Sequence, residues 1–200
     1  MKKLLTIIMA ATVGFGVQAQ DLPKPSPAAK VEQRVGLTDI SITYSRPGVK
    51  GRTIWGDLVP WNELWRAGAN KATLIETNKD VKLNGAVLPA GSYSLFILPK
   101  EGDTWTIVFN KETELWGTGD YKESEDQLRI DAQVSNLGEI SERLEYRFLN
   151  VDMNRGQLVM DWEKKRITIE IDADPSEHVK ENIATAIAEA DEENKWKVYR

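Results

Sequence analysis

The chain has 200 residues, no cysteine and a formal net charge of −5. The acidic balance argues against nucleic acid as a partner, because phosphate binding needs a net basic face. Without cysteine there are no disulfides, no thiolate nucleophile and no zinc site that uses sulfur, so core packing must supply the stability.

Residues 1–19 have the pattern of an export signal. Two lysines precede an apolar run over residues 4–17, and Val17-Gln18-Ala19 supplies a small-residue cleavage pattern. The apolar run is shorter than the ~20 residues that a membrane-spanning helix needs. We therefore expect a cleaved signal peptide, a periplasmic or secreted protein, and no stable membrane span after cleavage.

A linker over residues 20–30 follows, because residues 21–27 contain three prolines. After it, apolar and polar residues alternate in short segments, which predicts strands. Asn84-Gly85 predicts a hairpin, because both residues tolerate the positive φ of a type I′ turn. We predict strands near residues 31–35, 40–44, 72–77, 81–83, 93–98, 105–109, 127–134, 143–151, 157–162 and 166–171.

About ten strands with no helix between them predict an all-β fold over residues 31–173, either an antiparallel β-sandwich or a jelly-roll-like domain. Trp105 and Trp162 alternate with polar residues within predicted strands, and we expect both in the core.

The end of the chain, residues 174–200, predicts a C-terminal amphipathic α-helix. Asp174 occupies an N-cap position before Pro175. Val179, Ile183 and Ile187 then recur at helical spacing and form one apolar stripe. We expect this helix to pack on the sandwich or to project from it.

The segment 46–71 is where we expect a ligand. It contains three tryptophans, and five basic residues against two acidic ones, in an otherwise acidic chain. Guanidinium groups suit carboxylates and phosphates, and indoles stack on sugar rings or flat ligands. The ligand would be a small anionic or carbohydrate-like molecule. The predicted ligand-binding residues are Arg46, Arg52, Trp55, Trp61, Trp65, Arg66 and Asn70.

These residues also have structural interpretations. The indoles could plug an open end of the sandwich, and Arg52 and Arg66 could pair with Asp57 or Glu63 to hold the loop in place. Gly68-Ala69-Asn70 could be a tight turn in which small residues let the backbone approach a neighbour.

The sequence offers no conventional catalytic or metal-binding set. His178 is the only histidine, and no nucleophile-elbow pattern occurs. We therefore predict no catalytic residue, metal or cofactor, and favour a non-catalytic binding protein. One alternative is a cell-envelope glycan hydrolase that uses paired carboxylates. Another is a structural or interaction protein that docks a partner through the C-terminal helix.

Several sequence blocks resemble one known family, the exported bacterial proteins catalogued as domain of unknown function 2911. The resemblance covers about residues 26–171, and the terminal helix lies beyond it. It implies an exported single domain of mostly β structure and no established reaction. The blocks are Tyr44-Ser45-Arg46-Pro47, Lys50-Gly51-Arg52, Ile54-Trp55-Gly56, Val59-Pro60, Trp65-Arg66-Ala67-Gly68-Ala69-Asn70, Pro89-Ala90-Gly91-Ser92-Tyr93-Ser94-Leu95, and Trp105 with Asn110-Lys111.

Overall fold

The computed structural model describes residues 23–189, and within them the chain forms nine β-strands, a short 3-10 helix and one α-helix. The predicted signal peptide at 1–19 lies outside this range, so export stays a prediction. The elements are β1 Ala28–Val35, β2 Thr38–Ser45, β3 Thr73–Thr77, β4 Val81–Leu83, β5 Ala86–Leu88, β6 Gly91–Leu98, β7 Thr104–Asn110, the 3-10 helix Glu123–Glu125, β8 Asp126–Leu149, β9 Arg155–Asp172 and α1 Ser176–Glu189.

The strands of this range pair into one antiparallel sheet, in the order β1-β2-β3-β6-β7-β8-β9-β4-β5. The predicted all-β antiparallel class with a helix near the C-terminus is confirmed, and the strands form one continuous sheet rather than two separate ones. The predicted hairpin at Asn84-Gly85 is also confirmed. Both residues have positive φ, 48° and 85°, and they connect β4 to β5.

The β8–β9 hairpin replaces four shorter predicted strands. The pairing of β8 with β9 shifts register between Asn136 and Ser141, and again between Ser141 and Glu145. In this interval β8 carries more residues than the facing part of β9, and such an excess bends a strand away from its partner. Two long strands therefore form where the interrupted alternation predicts four.

Strands far apart in the sheet order meet through their inner faces. Tyr44 of β2 and Tyr146 of β8 have ring centroids 4.8 Å apart, although these strands are not neighbours in the sheet. The Tyr146 N–H donates a hydrogen bond of 3.1 Å to the Tyr44 hydroxyl. The main core lies between these faces, and Trp105 and Trp162 are buried in it, as predicted.

The opposite face of the sheet carries a smaller apolar cluster. Phe96 of β6 and Val108 of β7 form its centre, and Ala72, Leu115 and Tyr121 pack with them. Leu115 and Tyr121 belong to the connection between β7 and β8, so this connection covers part of the outer face.

Helix α1 begins where the N-cap pattern predicts it. The Asp174 carboxylate accepts hydrogen bonds from the Ser176 N–H (3.0 Å) and hydroxyl (2.6 Å). Val179 and Ile183 are each 39% exposed, so the apolar stripe of the helix is only partly covered. Neither helix within residues 23–189 has the length and hydrophobicity that crossing a membrane requires.

We predict that a chain ending at Asp174 still folds. The buried part of the chain ends at Ala173, and removal of the half-exposed helix costs little apolar burial. The melting temperature, followed by circular dichroism, should change by less than about 4 °C, which corresponds to ~1 kcal/mol for a chain of this size. Insolubility or a non-cooperative transition would show that the helix completes the core.

Candidate functional site

The loop that carries most of the predicted site residues is paired with the bent part of β8. The Val49 N–H donates to the Glu142 carbonyl (2.8 Å), and the Leu144 N–H donates to the Pro47 carbonyl (3.0 Å). The Glu142 carboxylate also accepts from the Lys50 N–H at 3.0 Å. The stretch of β8 that turns away from β9 therefore finds new backbone partners in this loop.

A tight turn positions Trp55 within the loop. The Val59 N–H donates to the Ile54 carbonyl at 2.8 Å, and the Gly56 N–H donates to the Val59 carbonyl at 2.9 Å. Gly56 has a φ of 84°, and a Cβ atom there would lie 2.5 Å from Trp61 Nε1. Only glycine tolerates both the positive φ and the close approach of the Trp61 ring. The turn therefore lets Trp55 and Trp61 lie side by side at the edge of the core.

The three predicted tryptophans belong to one aromatic cluster with Trp105 and Trp162. Trp65 stacks on Trp162, with centroids 5.5 Å apart and an interplanar angle of 19°. Trp55 meets Trp105 edge to face at 4.7 Å, and Trp61 meets Trp105 at 5.9 Å. The indoles thus extend the core, as expected if they fill space within the fold. Trp55 and Trp61 remain partly exposed at the edge of the core.

Two of the predicted arginines donate to nearby carbonyl groups. Arg46 Nε donates to the Leu144 carbonyl (3.0 Å), and its Nη2 pairs with Glu145 at 3.3 Å. Arg52 Nε and Nη2 donate to the carbonyls of Val49 (3.1 Å) and Gly48 (2.5 Å). The partners of Arg52 are therefore backbone carbonyls rather than Asp57 or Glu63, the acids that the sequence suggested.

Arg66 is different, because its buried Nε has no hydrogen-bond partner in the part of the chain that the structure describes. Burial lowers the pKa of its guanidinium. The other predicted residue of this motif, Asn70, has a φ of 62° and donates from Nδ2 to the Ser45 hydroxyl (3.1 Å) and the Ser26 carbonyl (3.3 Å). The role of these residues in ligand binding stays a prediction.

A hollow of about 310 Å³ lies beside the loop, and we name it the Glu163 hollow. Arg52 and Trp55 line it, whereas the other predicted site residues do not. Thr53 and Glu163 complete its polar lining, and Glu163 comes from the bend of β9.

A second hollow, of about 400 Å³, lies beside the N-terminal segment on β2 and β3, and we name it the Trp116 hollow. Asn70 is the predicted site residue that lines it. The Trp116 side chain is 66% exposed at its edge. Lys71 pairs with Glu114 at 2.6 Å, and Lys24 also lines the hollow.

The sequence analysis did not single out Trp116 and Glu163, which line the two hollows. Trp116 lies in Leu115-Trp116-Gly117-Thr118-Gly119, where the glycines and the absence of alternation argue against a strand. A tryptophan in a glycine-containing loop is unusual, and it could have marked Trp116 as a candidate ligand contact. Glu163 carries no local signal, because nothing in Trp162-Glu163-Lys164 marks a bend.

A chain of charges connects Arg46 to the bend of the hairpin. Glu145 pairs with Arg46 and, at 3.2 Å, with Arg147, which also pairs with Asp161. Asp161 is 2% exposed and accepts two bonds of 2.7 Å from Arg166. Burial alone would raise the pKa of the Asp161 carboxyl, but hydrogen bonds from Arg166 and Arg147 outweigh it and lower that pKa.

The family model described as "Protein of unknown function (DUF2911)" matches residues 26–171. This span includes Trp116 and Glu163 and ends before α1. No curated protein and no solved structure matches the chain.

We predict that Asp161→Asn lowers the free energy of unfolding at pH 7 by about 2 kcal/mol, because it removes a buried carboxylate that accepts charged hydrogen bonds from Arg166 and Arg147. Arg147 keeps its pair with Glu145 in the variant. Since folding lowers the pKa of Asp161, its contribution is complete above the ordinary value of 3.8 and is lost as pH falls through the folded-state pKa. The difference between wild type and variant should therefore shrink below about pH 4.

Urea unfolding at pH 7, 5 and 3 measures this difference. Asp120→Asn is the matched control, because Asp120 is exposed and should change the stability little at any of the three pH values. An equal loss at pH 7 and pH 3, or no loss at pH 7, would contradict the assignment of the network to stability.

Proposed function

The chain belongs to the DUF2911 family, and we propose that it serves as a non-catalytic binding domain for a small anionic ligand with an apolar body. The Trp116 hollow is the proposed site. The observation that carries the proposal is the exposed indole of Trp116 at the edge of a mostly apolar hollow.

The lining of this hollow is typical of a small-molecule site. Such sites measure roughly 300–1,000 Å³ and combine apolar walls with a few converging polar groups. Here Ala72 and Leu74 contribute apolar walls, and Trp116 offers a large ring. A single exposed tryptophan is common on protein surfaces, but one beside an apolar hollow can stack on a ligand and be covered by it.

The charges at the hollow favour an anion. Glu114 neutralises Lys71 through their ion pair, whereas Lys24 has no ion pair within residues 23–189. One uncompensated ammonium group therefore remains. An ammonium is a compact point charge that suits a carboxylate or a phosphate.

Two polar side chains can orient the ligand. Ser45 Oγ accepts the hydrogen bond from Asn70 Nδ2, so the Ser45 hydroxyl proton is free for a ligand acceptor. The same bonds fix the amide of Asn70 and leave its Oδ1 as an acceptor. Because these groups are held in place before binding, the site loses little side-chain entropy on binding.

Binding is favoured over hydrolysis at this site. A glycosidase of the paired-carboxylate type needs two carboxyl groups about 5–10 Å apart. Among the residues that line the Trp116 hollow, Glu114 supplies the single carboxylate, and it is paired with Lys71. The hollow therefore lacks the second carboxylate that this type of hydrolysis requires, although it could still bind a ligand.

We predict that Trp116→Ala weakens ligand binding at least about tenfold without loss of fold, because a stacking ring contributes on the order of 1 kcal/mol beyond its buried area. A thermal-shift screen against organic acids, phosphates and sugars identifies the ligand. At 100 times its dissociation constant the ligand should add about 2.7 kcal/mol to the stability.

Met153→Ala is the matched control, because Met153 is 87% exposed and does not line the hollow. It should bind the ligand as the wild type does. Lys24→Ala should weaken binding of anions and leave that of neutral compounds unchanged. Equal binding by Trp116→Ala and the wild type, or stabilisation only by neutral compounds, would overturn the proposal.

A further inference from the structure

The Glu163 hollow is a second site with a different chemistry. We propose that it binds the hydroxyl groups of a neutral sugar or polyol, between the guanidinium of Arg52 and the carboxylate of Glu163. The inference does not depend on the function proposed for the Trp116 hollow, because the two hollows share no lining residue.

Arg52 is held in a fixed orientation at this hollow. Its Nε and Nη2 donate to the carbonyls of Val49 and Gly48, so the plane of the guanidinium is set by the turn. Its Nη1 has no hydrogen-bond partner within residues 23–189, and the exposed Thr53 hydroxyl beside it has none either. Both groups are therefore free to bind a ligand.

Glu163 is held in a conformation that its residue type disfavours. It lies inside β9 and has a φ of 55°, at the position that pairs with Ser141 between two register shifts. Left-handed backbone in a non-glycine residue is disfavoured and is found disproportionately at ligand sites. One carboxylate oxygen accepts from the Lys164 N–H at 2.6 Å, and the other remains available.

The decisive observation is that a cation and an anion line the same hollow without forming an ion pair. A hydroxyl group both donates and accepts, so it can accept from Arg52 and donate to Glu163. An anionic ligand would lose at Glu163 what it gains at Arg52, and a cationic ligand the reverse, so a net charge on the ligand brings no advantage. A neutral ligand with neighbouring hydroxyls satisfies both charges.

Trp55 supplies the apolar wall of the site. Its ring is fixed by edge-to-face contacts with Trp65, Trp105 and Trp162, at centroid distances of 5.7, 4.7 and 5.7 Å. A rigid indole beside a charged pair offers the apolar surface that the C–H groups of a sugar ring contact. The volume of about 310 Å³ suits a ligand of one or two rings.

Titration of the full chain with glucose, glucuronate and glucosamine, followed by calorimetry, tests the inference. Glucose should bind more tightly than either charged sugar. Glu163→Gly should weaken glucose binding at least about tenfold, while its melting temperature is unchanged or raised, because glycine accepts positive φ without strain. Glu163→Gln should reverse the preference between glucose and glucuronate.

Trp116→Ala is the control that separates the two sites, and it should bind glucose as the wild type does. In the same way, Glu163→Gly should retain the anion binding that Trp116→Ala loses. Tighter binding of glucuronate than of glucose by the wild type would overturn the inference. Unchanged glucose binding by Glu163→Gly, or no binding of any neutral sugar, would also overturn it.

Discussion

The unequal pairing of β8 with β9 organises the rest of the molecule. Between Asn136 and Glu145, β8 has more residues than β9 can pair, and its surplus backbone needs other partners. Pro47 and Val49 supply those partners. The loop that follows β2 is consequently fixed to β8, and Arg46 and Arg52 donate hydrogen bonds to backbone carbonyls that hold it there. Asp161 stabilises the same bend through its ion pairs with Arg147 and Arg166.

This arrangement explains why cations and indoles are concentrated in one segment. The tryptophans fill the volume between the bent hairpin and the sheet. There the indole N–H groups of Trp55, Trp105 and Trp162 have no hydrogen-bond acceptor among residues 23–189. All three rings have aromatic neighbours at centroid distances of 4.7 to 5.9 Å, so the energy of this region comes mainly from ring packing. The segment is therefore first a structural element, and the surfaces that it leaves open lie at its two sides, at Asn70 and at Trp55.

Local patterns account for much of the fold. Alternation identifies β2 and β7, Asn84-Gly85 identifies a turn, and Asp174 identifies the start of the helix. The continuity of β8 and β9 could not be predicted, because a bulge interrupts the period of two without leaving a signal of its own. The partners of Arg46 could not be predicted either, since the Leu144 carbonyl lies 98 residues away in sequence. Trp116 was recognisable as an unusual loop residue, but its hollow depends on β2 and β3, which only the folded chain brings beside it.

The long separation between Arg46 and Leu144 also bears on the order in which contacts form. Contacts between distant parts of a chain form slowly, because a large loop must close before they contribute. The part of the loop that pairs with β8, from Pro47 to Lys50, cannot form its final hydrogen bonds until residues 142–144 are in place. The tryptophans of the loop have earlier partners as well, since Trp65 pairs with Ile97 of β6 and Trp61 packs on Trp105 of β7. Their last partner along the chain is Trp162 of β9. The aromatic cluster is therefore complete only when β9 has folded back along β8, and until then part of its apolar surface has no cover.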